Sequence, residues 1–349
     1  MKSFVCGAVF WSLLVFSCTS TKSVVDTSVE KEEVEPADPC EGVECGEAGT
    51  CTTTAGEAAC ECDDGYVDES LSCVDVDECV TDNGGCGPDY RYLCENNEGA
   101  APTCTDKCSD LGASIEALSE PASHPVMSGT VWFHKDIITD DDPSAFLGVT
   151  YSGQGERLMF DRRTNDWETL QAHLFDARFA GDVTVEVQVN PEFNQEEAET
   201  ESRFYAEYIG KLPAFLFRDI QTVWIHQGVE LYGGGNQNLL IHTGQTPEYL
   251  RDEVLEEVFI HEAAHTSMDA YYAADPSWLA AQQGDGMAIS SYALEFPDRE
   301  DVAETLGPYL AYRHRPERLN ELQISQLEET IPNRILFFDC LELQMDPLQ

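Results

Sequence analysis

The chain has 349 residues, 42% of them hydrophobic, enough for an export signal, a small appendage and one larger domain with its own core. Lys and Arg number 19 against 66 Asp and Glu, a formal net charge of -47. So acidic a surface repels nucleic acid and anionic lipid, which excludes both as partners, and it favours solubility in a salty or calcium-rich external medium.

Residues 1–18 read as an export signal. Lys2 supplies the positive start, and the apolar run from Phe4 to Phe16 is too short for a spanning helix. Val15-Phe16-Ser17-Cys18 resembles a bacterial lipobox, in which the cysteine is lipidated and becomes the mature N-terminus. Phe16 departs from the small or aliphatic residue of that pattern, so ordinary signal cleavage stands beside lipidation as a second route. The expected location is therefore secreted, or on the outer surface as a lipoprotein, with Cys18 as the sole membrane attachment. Residues 19–39 are rich in Thr, Ser, Val and Glu, lack aromatics and read as a flexible acidic tether.

Of 14 cysteines, Cys6 and Cys18 lie in the export region, eleven fall between Cys40 and Cys108, and Cys340 stands alone. Cysteine this dense in a short exported stretch predicts disulfides, because so small a core cannot hold itself together. Spacing alone leaves their connectivity open. Across residues 40–74 the order Cys40, Cys45, Cys51, Cys60, Cys62, Cys73, with Gly65-Tyr66 before the last, resembles an EGF-like module. The resemblance implies the pairs Cys40–Cys51, Cys45–Cys60 and Cys62–Cys73. Residues 75–108 open with Asp75-Val76-Asp77-Glu78-Cys79 and resemble a truncated calcium-binding EGF-like module. It implies Asp75, Glu78 and Asn96 as candidate calcium oxygens, hard ligands for a hard ion. Ala101 in place of an aromatic, and the early end after Cys104, leave a calcium-free stub as the alternative. With Cys79–Cys94 and Cys86–Cys104 implied by the same pattern, Cys108 and Cys340 are left over. In an oxidising compartment two leftover thiols suggest each other.

Residues 109–349 read as the larger domain. Thr222-Val-Trp-Ile-His226 and Asn238-Leu-Leu-Ile-His242 are strand-like, and Gly233-Gly234-Gly235 between them reads as a turn. Isolated histidines on strands are usually structural, so His226 and His242 are set aside as metal ligands. Tyr249 to Tyr271 reads as one long helix, with Leu250, Val254, Val258, Ile260 and Ala264 in helical repeat. Within it lies His261-Glu262-Ala263-Ala264-His265. Histidines at i and i+4 share one helix face, so both imidazoles can reach one ion, and Glu262 is rotated by about 100° to meet a water beside it. Zinc lowers the pKa of such a water, and the carboxylate can take its proton.

Two histidines require a third protein ligand. Asp269 is one candidate, but on an unbroken helix it would stand about 6 Å beyond His265 along the axis. A ligand from a second helix is preferred. Phe296-Pro297-Asp298-Arg299 is a start signal for a helix running to about Arg313, with Glu300 and Glu304 one turn apart. One can bind the metal while the other accepts a hydrogen bond from a ligating imidazole.

His261 to His265, Ser291-Tyr292-Ala293 and Glu300-Asp-Val-Ala-Glu304 together resemble the lethal-factor-like branch of the gluzincin metallopeptidases. The resemblance implies zinc on His261, His265 and Glu300, with Glu304 bonded behind a ligand. It makes Glu262 the general base and Tyr292 the phenol that meets the oxyanion. It also implies that a peptide substrate adds as a strand to a sheet edge, for which Asn238–His242 is the candidate. The expected architecture is α+β, a zincin-like domain behind a small disulfide-rich EGF-like region. The expected activity is zinc-dependent hydrolysis of peptide bonds in a protein or peptide substrate. The alternative is a surface binding or adhesion protein built on EGF-like modules and an inactive zincin scaffold.

Overall fold

A computed structural model of the chain describes residues 38–129, 137–139 and 141–348. The export signal with Cys18, and the tether up to residue 37, lie outside the described residues. Among the described residues no helix is long and apolar enough to cross a membrane. The chain forms two compact units, divided between Asp75 and Val76.

The first unit holds two small antiparallel hairpins, β1 (Gly49–Thr54) with β2 (Glu57–Cys62) and β3 (Tyr66–Asp68) with β4 (Cys73–Asp75). Its buried apolar residues among those described are Cys45 and Cys60 alone. The three bonds Cys40–Cys51, Cys45–Cys60 and Cys62–Cys73 take the place of a core. Asp75 closes this unit, whereas Glu78 and Asn96 belong to the second, so the three calcium candidates are described apart.

The second unit begins with the hairpin β5 (Tyr92–Asn97) and β6 (Ala100–Asp106), held by Cys79–Cys94 and Cys86–Cys104. The short helix α1 (Leu111–Ser114) follows. This hairpin is built into the larger body. Cys108 bonds Cys340, Arg91 pairs with Glu342 at 3.1 Å, and the Arg313 guanidinium stands 4.3 Å from the Tyr90 ring centre.

A six-stranded mixed sheet forms the centre. Its strands are β7 (Phe146–Asp161), β8 (Asp166–Phe179), β9 (Val183–Val189), β10 (Thr222–His226), β11 (Gly233–Gly235) and β12 (Asn238–His242). The spatial order is β11-β12-β10-β9-β8-β7. β9, β10 and β12 run parallel, and the remaining pairs are antiparallel. Alternation divides the faces. Val223, Ile225, Leu239 and Ile241 enter the main core with the helices, while Trp224 and Leu240 join Met159, Ala172 and Leu174 on the other face.

The sheet departs from the sequence expectation at two strands. Asn238–His242 is a strand but an inner one, and the triple glycine is itself the edge strand, not a turn. The reason is close approach. A Cβ on Gly234 would lie 1.8 Å from the Glu262 carbonyl oxygen, so only glycine lets the edge press on the helix behind it.

Helix α2 (Gln195–Ile209) starts at a capping box. The Asn194 side chain accepts from Glu197 N at 3.1 Å, and the Glu197 carboxylate accepts from Asn194 N at 2.9 Å. The single helix expected from Tyr249 to Tyr271 is three pieces: α3 (Thr246–Arg251), α4 (Leu255–Ser267) and α5 (Asp269–Tyr272). Glu253 at φ 58 reverses the chain before α4, and Met268 at φ -124 ends it. Neither break uses Gly or Pro, so the apolar repeat runs through both. Helix α4 is enclosed by the core, with Val258, Phe259, Ile260, Ala263 and Ala264 all buried. α6 (Pro276–Asp285), α7 (Ser291–Glu295), α8 (Asp301–His314), α9 (Glu321–Thr330) and α10 (Pro332–Asp339) complete the unit. The observed class is α+β with a disulfide-rich N-terminal region.

Candidate metal centre and cleft

Helix α4 directs His261 and His265 toward the start of α8, with their Nε2 atoms 3.0 Å apart. Glu300, the residue that opens α8, brings Oε2 to 3.3 Å from His265 Nε2 and 3.7 Å from His261 Nε2. Among the described residues this is the group of three side chains whose ligand atoms could share one ion. Donors at about 2.0–2.2 Å from a tetrahedral zinc stand roughly 3.3–3.5 Å from one another. The measured spread brackets that value. Glu300 Oε2 is also buried without a hydrogen-bond partner, which is costly unless a cation meets it. The donor set, two imidazoles and a carboxylate, suits zinc.

The far side of each imidazole is also engaged. His265 Nδ1 donates to Asp269 Oδ2 at 2.7 Å. His261 Nδ1 faces Glu304 Oε1 at 3.7 Å, and His261 also bonds the Ala303 backbone. Partners on Nδ1 orient both rings so that Nε2 lone pairs turn to the common point. Asp269, set aside as a ligand, is thus the orienting carboxylate of His265. The signal for it was an acid at i+4, visible in the sequence but read only as a ligand candidate.

Burial dominates the electrostatics. It pushes His261 down to about 3, helped by the neighbouring His265. It also opposes charge on His265, but Asp269 and Glu300 outweigh it and raise that group to about 10. For Glu300, burial is outweighed by His265, and its carboxyl stays below the usual range. Burial lifts Glu262 to about 7, against the pull of His265 and Arg162. That makes it a stronger base than a surface carboxylate.

These groups line a cleft of about 1010 Å³, with β11, Tyr249, Arg162 and Tyr292 along its walls. Thr266 Oγ1 accepts from Gly235 N at 2.8 Å and ties the edge strand to α4. Tyr292 stands in α7, where Ser290 Oγ caps Ala293 N at 2.9 Å and Tyr292 N donates to Ser128 O at 3.2 Å. Its hydroxyl donates to Glu300, and burial with that carboxylate raises its pKa. Tyr292 therefore borders the centre with its hydroxyl already engaged.

No family model matches the chain, and no solved structure matches it. Among curated proteins it is similar to uromodulin of Mus musculus, 31% identical over 117 residues, which are 30% of this chain and 17% of that protein. The chain thus spans about a sixth of the length of the curated relative it matches. The likeness bears on no enzymatic activity. Together with the six disulfides it marks a disulfide-rich protein of an extracellular setting.

His226 and His242 form a separate buried pair, stacked with ring centres 5.3 Å apart. His226 Nδ1 meets Asn190 Nδ2 at 2.9 Å, and His242 Nδ1 donates to Gln227 O at 3.0 Å. Asp161 lies 3.7 Å and 4.0 Å from the two rings. Arg162, in the turn between β7 and β8, reaches the cleft from far earlier in the chain. No local pattern could have pointed to it.

Proposed function

We propose that this chain is an extracellular zinc-dependent peptidase of gluzincin type, resembling the lethal-factor-like branch, on a zincin-like domain. The observation that carries the reading is the convergence of His261 Nε2, His265 Nε2 and Glu300 Oε2 within 3.0–3.7 Å, beside Glu262 in one open cleft. His261, His265 and Glu300 would hold the ion, with Asp269 and Glu304 behind the histidines. Zinc bound there supplies a Lewis acid that polarises a carbonyl and makes water acidic at neutral pH.

The remaining steps belong to the chain. Glu262, made more basic by burial, accepts the proton of the attacking water and returns it to the leaving amine. Tyr292 can turn its hydroxyl from Glu300 toward the oxygen where negative charge develops. As the edge strand, β11 would receive an extended peptide alongside it, which orients the scissile bond above α4.

The test joins zinc stoichiometry to hydrolysis of a mixed peptide library. One zinc per chain with turnover is expected, and Glu262→Gln should keep the metal while losing about 10²–10⁴-fold in rate. Zinc binding without turnover in the wild type would instead favour a binding protein on an inactive scaffold.

A further inference from the structure

Two basic side chains line the cleft, Arg162 and Arg299, and their surroundings differ. Arg299 is engaged: its guanidinium pairs with Glu300 at 3.2 Å and lies 4.8 Å from the Phe296 ring centre. Arg162 is exposed; Glu262 feels its charge across the cleft, but among the described residues no carboxylate forms a salt bridge with it. That is unusual in a chain with 66 acidic and 19 basic residues. Glu262 is committed to the site itself, and the next acid along the wall is already engaged. Glu248, the acid nearest in sequence to Tyr249 on the same wall, accepts from Gln245 at 2.9 Å and faces Arg251 at 3.6 Å.

The turn that carries Arg162 is anchored by its neighbour. Arg163 binds Asp161 through backbone N at 2.9 Å and through Nη2 at 2.6 Å, and it reaches Glu192 at 2.9 Å. With Arg163 fixed below, Arg162 lies over the edge strand. Its Nη2 is 2.7 Å from where a Cβ of Gly233 would stand, so the bare glycine makes room for it. An exposed guanidinium beside a strand edge, at the rim of the cleft, is a fork for a carboxylate.

We propose that Arg162 selects the substrate by pairing with a carboxylate on the peptide laid along β11. The cleft accordingly prefers a peptide with an acidic group at that place, despite the acidity of the chain as a whole. The inference rests on the peptidase reading. The carboxylate has two sources, an Asp or Glu side chain or the peptide's C-terminus.

The probes are peptides identical but for Glu, Gln or Lys at one scanned position, each made with a free and an amidated C-terminus. Two readouts are taken: kcat/KM with the zinc-loaded enzyme, and calorimetric binding to Glu262→Gln. The wild-type cleft should favour the acidic ligand by about 10-fold or more. Arg162→Gln should remove that preference and Arg162→Glu should turn it toward Lys. Arg178→Gln, an exposed cation elsewhere on β8, should keep it. A preference that survives amidation assigns the side chain as the source, and one that disappears assigns the terminus. Equal binding of all peptides by the wild-type cleft, or a preference undiminished in Arg162→Gln, overturns the proposal. Failure of the peptidase reading looks different: no peptide is turned over, while the binding arm still reports on Arg162.

Discussion

His265 Nδ1 donates to Asp269 Oδ2 at 2.7 Å across the break that ends α4 at Ser267. On a straight helix the acid would stand too far along the axis to ligate an ion shared with His265. The break at Met268 makes it the partner of the outer nitrogen, a place matched on His261 by Glu304 at 3.7 Å.

Asp269→Ala and Glu304→Ala should therefore weaken zinc by similar amounts, about 10–100-fold each. Glu300→Ala, which removes a ligand, should weaken it more than either. Titration against a chelator of known affinity gives the order. If Asp269→Ala proved the weakest binder, the ligand set would have to be redrawn around Asp269.

Gly234→Ala tests the contact between edge strand and helix. The added methyl would meet the Glu262 backbone at 1.8 Å, so either β11 lifts or α4 shifts. Loss of zinc affinity together with a lower melting temperature is expected. Gly235→Ala, where nothing stands within 4 Å but φ is 107, should lower stability by backbone strain and leave zinc binding closer to wild type. Equal zinc affinity in Gly234→Ala and wild type would show that the contact does not shape the site.

The buried histidine pair predicts a pH dependence of stability. Burial holds His226 at about 4 against an ordinary 6.5, opposed by Asp161 and reinforced by His242 and Arg163. His242 moves in the same direction. The unfolded chain thus binds more protons between these values. Stability is intact above about 6.5 and is lost as pH falls toward 4, by about 3 kcal/mol for His226. His226→Gln should be less stable at neutral pH yet lose less on acidification. Urea midpoints at about pH 7 and pH 4.5 give the comparison, and parallel losses in the two proteins would contradict it.

Cys108–Cys340 closes a loop with a sequence separation of 232 residues. Loop-closure entropy makes such a bond worth about 5 kcal/mol before strain is subtracted. Replacing both cysteines by Ala should lower the urea midpoint and expose the β5–β6 hairpin to protease, because only non-covalent ties such as Arg91–Glu342 and Arg313 over Tyr90 would then hold it. Unchanged stability would mean that the rest of the interface suffices.

Features that depend on short spacings could be read directly from the chain. The EGF-like resemblance implied five pairs, the two leftover cysteines suggested the sixth, and the same six are bonded in the structure. The i, i+4 histidines share a face because helical period requires it, and Pro297-Asp298 marked the start of the helix that presents Glu300. The strands Thr222–His226 and Asn238–His242 followed from β-branched and apolar runs. Which strand lies at the edge was another matter. Gly233–Gly235 carries no side-chain pattern, and its place is set by the surface of α4 that it must approach. The breaks at Glu253 and Met268 were hidden because an apolar repeat records burial, not direction, and α4 is buried except where Glu262 and His265 meet the cleft. Arg162 lines the cleft with Glu262 because the turn of the β7–β8 hairpin comes to lie beside β11, a proximity of distant segments that folding alone creates.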